Sequence, residues 1–294
     1  MHLIVKITYR KRSKKKMSVE LINGDCVGII GDMISNGETV DAIVTDPPYQ
    51  YLNHKMDKAF REELFFQRVY DLLKENGFLV FFGRGSSFYR WNVICEKIGF
   101  KFKEELIWDK KSISNPAGAI GRCHETIAVH GKGNAKLKRV FVDYFEHREA
   151  NEHYENYKYD LNRIRTLFRN NNFDEIKERL EKKTPEKKVG HRVTLAKKWG
   201  WDRGAETLKR LDRGLLLRSI VRENREHYKT KHPTQKPYKL IEKLISLTTN
   251  EGDTVLDPFM GSGSTGIACR NLKRNFIGID IDDNYVKVAK ERIK

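Results

Sequence analysis

Four cysteines in 294 residues are too few and too scattered to staple a fold. Cys26, Cys95, Cys123 and Cys269 form no Cys-x-x-Cys pair. They read as free, buried thiols in a reducing, cytoplasmic setting, not as a disulfide or zinc framework. Cys123, His124 and His130 lie near one another in sequence, but their spacing is read as structural, and no metal is expected. No apolar run approaches the ~20 residues that a membrane span needs. The longest, near Phe78–Phe82, is strand-sized. No secretory signal is expected either: the apolar His2–Ile7 precedes the basic run, the wrong order for one. There is no internal repeat. What remains is 39% hydrophobic and 33% charged, enough apolar material for a packed core. The length suits one large domain with an insertion, or two modest domains.

The net charge of +17 is unevenly placed. Residues 1–20 carry 7 Lys and Arg against 1 acid, and residues 131–230 carry 26 against 16, while the rest is nearly balanced at 24 against 23. A basic block beside a neutral body suits a polyanion, most simply nucleic acid. Charge alone leaves a solvated basic face equally open. For the tail, 1–16, two readings stand: phosphate attraction by Arg10–Lys16, or a start of the fold at Met17. The second is preferred, because Ser18 onward already fits a domain.

From Val19 to Val129 short apolar runs alternate with amphipathic stretches. Strands are expected at Val19–Ile22, Ala42–Thr45, Phe78–Phe82, Leu106–Trp108 and Thr126–His130. Helices are expected at Arg61–Leu73 and Ser87–Ile98, which stop near Gly77 and Gly99. The rhythm resumes with helix Pro237–Thr248, strand Thr254–Leu256, helix Ser264–Leu272, strand Phe276–Ile279 and helix Asn284–Ile293. This alternation predicts an α/β fold, a doubly wound and mostly parallel sheet covered on both faces. Residues 131–230 break the rhythm. They are polar and basic, with Tyr144, Tyr154, Tyr157 and Tyr159 among the charges and Trp199 and Trp201 beside Lys197, Lys198 and Arg203. Helical patches at Phe173–Leu180 and Glu206–Leu216 stand in what reads as an inserted domain. For the two tryptophans, core packing is preferred over ligand contact.

Two motifs carry chemistry. In Asp257-Pro-Phe-Met-Gly261-Ser-Gly263-Ser-Thr-Gly266 an apolar strand enters a glycine-rich turn and then a helix. The spacing Gly-x-Gly-x-x-Gly permits a tight turn and close approach of a ligand to the backbone. Asp280 follows at the end of the next strand, 19 residues past Gly261, where an acid accepts hydrogen bonds from ribose hydroxyls. A nicotinamide dinucleotide would place this unit first in the chain, and here it is last. Asp257 would also repel a pyrophosphate, whereas it suits the ammonium group of a methionine moiety. The second motif, Thr45-Asp46-Pro47-Pro48-Tyr49, ends a strand, where ligand sites of such sheets lie. A rigid turn is the default reading. The chemical reading is sharper. The exocyclic nitrogen of a base is a poor nucleophile, and two acceptors aimed at its protons favour a tetrahedral nitrogen. The Asp46 carboxylate and the Pro47 carbonyl can be those acceptors, preorganised by two prolines. Tyr49 offers a face for an extruded base.

Together these motifs resemble the β class of DNA amino-methyltransferases: catalytic motif first, target-recognition region next, cofactor glycine loop last. Asn23-Gly-Asp25-Cys26, His124-Glu-Thr-Ile-Ala-Val-His130, His232-Pro-Thr-Gln-Lys236-Pro237 and Gly278-Ile-Asp280 agree with that order. The resemblance covers 17–130 and 231–294 and leaves 131–230 as the target-recognition insertion. It implies a Rossmann-like methyltransferase fold in permuted order, S-adenosylmethionine as cofactor and double-stranded DNA as partner. In its terms Asp46, Pro47, Pro48 and Tyr49 hold and activate the target amino group. Asp257, Phe259, Gly261, Ser262 and Gly263 line the methionine end of the cofactor, with Thr234 and Lys236 nearby. Asp280 holds the ribose and Asp25 reaches the adenine. Phe259 is open between a cation-stabilising role and plain packing.

In this light DNA contact is preferred for the basic block. Adenine N6 is preferred as target over cytosine N4, because Asp46 stands where the cytosine enzymes often carry Ser. A cognate restriction endonuclease and a homodimer are partners that the resemblance admits. A nicotinamide-dependent oxidoreductase and a non-catalytic DNA-binding regulator are the rival readings. The first leaves Asp46–Tyr49 unexplained, and the second leaves two intact motifs idle.

Overall fold

Phe78, Leu79, Val80, Phe81 and Phe82 are all buried, so both faces of their strand must be covered. The structure, a computed structural model, describes residues 3–8, 17–49, 60–112, 120–144, 154–170, 172–181, 203–224 and 235–294. Arg10–Lys16, Trp199, Trp201 and Thr234 lie outside these described residues.

Among them, the main sheet contains β1 (Leu3–Thr8), β2 (Ser18–Asn23), β3 (Val40–Thr45), β4 (Leu73–Gly83), β5 (Lys101–Asp109), β6 (His124–Gly131), β9 (Ile220–Arg222), β10 (Thr254–Asp257) and β11 (Asn275–Asp280). Their order is β1-β2-β11-β10-β3-β4-β6-β5-β9. The five neighbours β2, β11, β10, β3 and β4 run parallel. Strand β6 runs antiparallel between β4 and β5, and β9 is parallel to β5. Residues 3–8, which the sequence reading sets apart from the fold, add β1 antiparallel to the edge of β2.

Helices α1 (Cys26–Ser35), α2 (Glu62–Leu72) and α3 (Gly85–Ile98) close one face. Ile30, Phe65, Phe66 and Trp91 share a buried cluster with Ile43, Leu79, Phe81 and Leu256. In α2 the buried residues Phe65, Phe66, Val69 and Leu72 recur at helical spacing. Burying each of these large side chains contributes roughly 1.5–3 kcal/mol. The alternate strand residues Ala42, Val44, Val80 and Val255 point the other way and are equally buried. Helix α7 (Tyr238–Thr248) packs on β3 and β4, α8 (Ser264–Asn271) on α7 and β11, and α9 (Asp283–Ile293) on β2 and β11. No helix among the described residues is long and apolar enough to cross a membrane.

Residues Arg139–Leu217 form a second compact unit, narrower at both ends than the expected insertion 131–230. It holds α4 (Tyr154–Asn170), α5 (Phe173–Glu181), α6 (Arg203–Arg213) and a two-stranded ribbon of β7 (Phe141–Val142) with β8 (Leu215–Leu216). Leu167, Ile176 and Ala205 make its core, and Tyr144 is buried with its hydroxyl donating to Asp160 at 2.5 Å. Asn172 and Glu175 cap α5 reciprocally, each backbone N–H donating to the other's side chain at 2.9 Å. The helix expected to run on to Leu216 ends at Arg213, because Gly214 turns to φ +83° and the chain continues as β8.

Candidate active site

From β3 the chain passes through α2 to β4 on one side, and from β10 through α8 to β11 on the other. The strand order therefore reverses between β10 and β3. In open α/β sheets the crevice at such a switch point, outside the carboxyl ends of the strands, is where ligands bind. Because β2, β11, β10 and β3 are parallel, Asp25, Asp280, Asp257 and Asp46 all come to that edge.

Asp257 ends β10 and is 4% exposed. Thr265 Oγ1 donates to one carboxylate oxygen at 2.6 Å, and the Phe259 N–H to the other at 3.2 Å. Burial pushes the Asp257 carboxyl up to about 7. Asp280 accepts from the Gly261 and Asp282 N–H groups, each at 2.9 Å, and so ties the glycine loop to β11. Burial raises its carboxyl above the ordinary range too. Asp25 caps α1, accepting from the Gly28 N–H at 2.9 Å, while the neighbouring Gly24 N–H donates to the Asp280 carbonyl at 3.0 Å.

The glycines have separate reasons. Gly263, at the start of α8, has φ +81°, and a Cβ there would stand 2.9 Å from Ala289 Cβ. A Cβ on Gly266 would stand 2.3 Å from Ile293 Cδ1, so that glycine lets α8 pack against α9. Ser262 is clamped: its Oγ donates to Gln235 Oε1 at 3.2 Å, and Arg292 donates to its carbonyl at 2.6 Å and its Oγ at 2.7 Å. Phe259 packs with Phe60 and Phe65, both at 5.4 Å between ring centroids.

Asp46 follows β3 at the other lip of the crevice. Its Oδ1 accepts from the Tyr49 hydroxyl at 2.5 Å and its Oδ2 pairs with Lys236 Nζ. Lys236 also lies 3.1 Å from Glu125 Oε2, and Glu125 Oε1 lies 2.6 Å from Lys110 Nζ. The Lys110 side chain is 2% exposed. Burial raises the Asp46 carboxyl; Lys236 opposes that rise and Glu125 adds to it. For Glu125 burial acts upward too, but Lys236 and Lys110 outweigh it and hold the carboxyl at about 2. Burial would lower Lys236, yet Asp46 and Glu125 together raise it. The Tyr49 ring sits 6.1 Å from that of Trp91. Pro47 is buried and Pro48 half-buried.

The sequence-predicted residues thus gather in two adjoining groups, Asp46 to Tyr49 and Asp257 to Gly263 with Asp280. Lys236, expected at the cofactor, stands on Asp46. Thr265, Gln235, Arg292, Lys110 and Glu125 were not singled out by sequence. Thr265, Gln235 and Glu125 lie inside quoted segments, and nothing in their spacing marks them. Cys123 is exposed, where the sequence reading buries all four thiols. His130 is buried at the far end of β6, stacked on Phe81 and bonded through Nε2 to Asn92 Oδ1 at 2.8 Å.

S-adenosylmethionine carries an ammonium and a ribose besides its sulfonium, and the crevice holds an acid of the kind that suits each of those two groups. Asp257 is a buried carboxylate with no cation paired to it among the described residues. Asp280 is an acid at the ribose position of the fingerprint. The buried Ser264 hydroxyl, at the start of α8, has no partner among the described residues.

A doubly wound domain with a nucleoside-cofactor crevice beside an Asp-Pro-Pro-Tyr loop defines the amino-methyltransferase class. The chain belongs to the DNA methylase family, which matches residues 40–291. It is an S-adenosylmethionine-dependent DNA methyltransferase. The Type II methyltransferase M2.DpnII of Streptococcus pneumoniae is 28% identical over 96% of this chain and 91% of that protein. The DNA adenine methyltransferase YhdJ of Escherichia coli (strain K12) is 25% identical over 93% of this chain and 82% of its own length. Among solved structures, an M1.HpyAVI-SAM complex is 29% identical with TM-score 0.57, over 93% of this chain and 99% of that one.

Proposed function

We propose that this protein methylates adenine N6 at specific sites in double-stranded DNA, with Asp46, Pro47, Pro48 and Tyr49 as its amino-binding loop. One observation carries the reading: Asp257 ends β10 and Asp46 directly follows the neighbouring parallel β3 at the switch point, so an amino-activating loop adjoins the cofactor crevice. The adenine named in the Escherichia coli relative supports the choice of base. Bound S-adenosylmethionine supplies an electrophilic methyl group on a positive sulfur.

The residues of this chain do the rest. Asp257 faces the ammonium end and Asp280 the ribose, with Asp25 toward the adenine ring. Gly261, Ser262, Gly263 and Phe259 shape the methionine end. Thr234 belongs there by its place in the motif. The Asp46 carboxylate accepts one proton of the target amino group and the Pro47 carbonyl the other, so the nitrogen lone pair is freed toward the methyl carbon. Alignment of that attack is the main catalytic contribution. Tyr49 offers its ring face to the extruded base while its hydroxyl stays on Asp46 Oδ1. The unit Arg139–Leu217, within the basic block, reads the DNA sequence.

Cytosine N4 is the second reading, since the same loop chemistry serves either amino group. A cognate restriction endonuclease and a second copy of this chain are partners consistent with the Type II name of the pneumococcal relative, and the cytoplasm is the setting. The deciding experiment incubates the protein with S-adenosylmethionine and DNA from a methylation-deficient host, then quantifies modified nucleosides by mass spectrometry. N6-methyladenine that vanishes with Asp46→Ala is the expected result. N4-methylcytosine would replace the target base. No modified base from a folded, cofactor-binding protein would overturn the proposal.

A further inference from the structure

The ion chain Lys110–Glu125–Lys236–Asp46 is not needed to build a methyltransferase crevice, yet it is buried against it. Two cations and two carboxylates alternate, from a lysine after β5, through β6, to the segment before α7 and the loop after β3. Lys236 is shared: it holds Asp46 Oδ2 while lying 3.1 Å from Glu125 Oε2. Its Nζ sits 4.9 Å from the centre of the Phe82 ring, which further confines it. Lys110 holds the other Glu125 oxygen at 2.6 Å and keeps that carboxylate turned toward Lys236.

The arrangement meets a difficulty in the chemistry above. As described, both Asp46 oxygens are engaged, one by Tyr49 and one by Lys236. An incoming amino group must share one of them, and an ammonium on Oδ2 draws away the negative charge that would activate it. Pulling a nearly buried ammonium off a half-buried carboxylate with no other acceptor to receive it is costly. Here a second carboxylate already stands within ion-pair distance.

Resting on the functional reading above, we propose that Glu125 is a positioning residue that receives Lys236 when the target amino group enters, freeing Asp46 Oδ2, with Lys110 holding Glu125 in place. No proton moves and no bond is made or broken. The cation shifts its weight from one carboxylate to the other, and the chain stays neutral throughout.

Charged and titratable groups face this chain from each side: Tyr49, Lys236, Glu125 and Asp257 act on Asp46, and Lys110 and Lys236 act on Glu125. Replacing Glu125 by glutamine removes a negative charge that raises the Asp46 carboxyl. Asp46 then stays ionised to lower pH but is held more firmly by Lys236. The chemical step should therefore slow while its acid limb moves to lower pH. A merely structural role predicts no such pairing of effects.

The test measures single-turnover methyl transfer to DNA across pH 5–9, S-adenosylmethionine affinity and melting temperature. It compares wild type, Glu125→Gln, the neutral double variant Lys110→Met with Glu125→Gln, and Asp46→Ala. The double variant leaves no buried lysine unpaired, so it guards against a folding defect in the single one. The expected result is a plateau rate at least tenfold lower in both Glu125 variants, an acid limb at lower pH, cofactor affinity within threefold and melting retained in the double variant. A plateau within twofold of wild type would overturn the proposal. So would a rate loss matched by equal losses of cofactor binding and melting temperature. Wild type that fails to methylate DNA, or Asp46→Ala that still does, refutes the functional reading itself, and the proposal falls with it.

Discussion

Asp257→Asn should make this protein more stable and less able to bind its cofactor. The carboxyl is 4% exposed and burial raises it from 3.8 to about 7. Between those values the folded protein keeps a proton that the unfolded chain has lost. Stability contributed by this group is therefore present below pH 3.8 and lost as pH rises toward 7. A shift of about three pH units corresponds to ~4 kcal/mol against the folded state at pH 8. Asparagine removes the charge but turns an amide toward the Phe259 N–H, which returns about 1 kcal/mol of the gain. The net expectation is roughly 2–3 kcal/mol of added stability at pH 8 and almost none at pH 5. Urea denaturation at the two pH values reads it directly. Cofactor binding supplies the second half of the test. A cation placed on Asp257 favours the ionised form, so binding at pH 6 should release close to one proton. Calorimetry in buffers of different ionisation enthalpy counts that proton, and Asp257→Asn should abolish it while weakening binding at least tenfold. A variant that is no more stable at pH 8, or that binds the cofactor as wild type does, would refute the reasoning.

Two further expectations concern other parts of the molecule. Burial lowers His130 to about 4, so the folded protein resists protonation that the unfolded chain accepts near 6.5. Stability should fall by ~3 kcal/mol as pH drops from 6.5 to 4, and the stability difference between wild type and His130→Leu, from urea midpoints, should narrow over that window. Gly214→Ala places a Cβ 2.2 Å from the Val142 carbonyl at φ +83°, and should cost at least 2 kcal/mol in the unit Arg139–Leu217. Limited proteolysis should then cut within that unit while S-adenosylmethionine binding survives.

Periodicity made the sheet legible, because a strand buried on both faces must be apolar throughout, as Phe78–Phe82 is. Helix α1 is not among the expected elements, although Cys26, Val27, Ile29, Ile30 and Met33 are buried at helical spacing. Gly28 and Gly31 lower its intrinsic propensity, and its cap, Asp25, invites a ligand reading first. Helix α6 is shorter than its sequence pattern predicts for the opposite reason. Leu215–Leu217 prolong its apolar pattern, and only the backbone turn at Gly214 stops it. The expected site residues are recognisable because each loop is continuous in sequence. Glu125, Lys110 and Arg292 could not be found that way. Each matters through one contact with a distant element, and such contacts leave no spacing behind.

Topology also accounts for why the chain order of the motifs is immaterial. Asp46 and Asp257 come from opposite ends of the sequence, yet one follows and the other ends a strand beside the switch point. Crossover connections turn with one hand, so either half can come first and both still deliver their loops to one edge. The point where the chain leaves for the insertion is fixed on this body. The Lys138 N–H donates to the Leu247 carbonyl at 2.9 Å, and its Nζ to the Thr249 carbonyl at 2.7 Å. The point of return is fixed as well: Arg222 pairs with Asp109 at 3.0 Å, Trp108 Nε1 donates to the Glu223 carbonyl at 2.9 Å, and Lys243 pairs with Glu223. With both ends clamped to β5 and α7, the residues between them can change without moving the strand ends that carry Asp46 and Asp257. For the proposed DNA-reading role of Arg139–Leu217 this matters, because sequence variation between the two clamps need not disturb the residues that carry the chemistry.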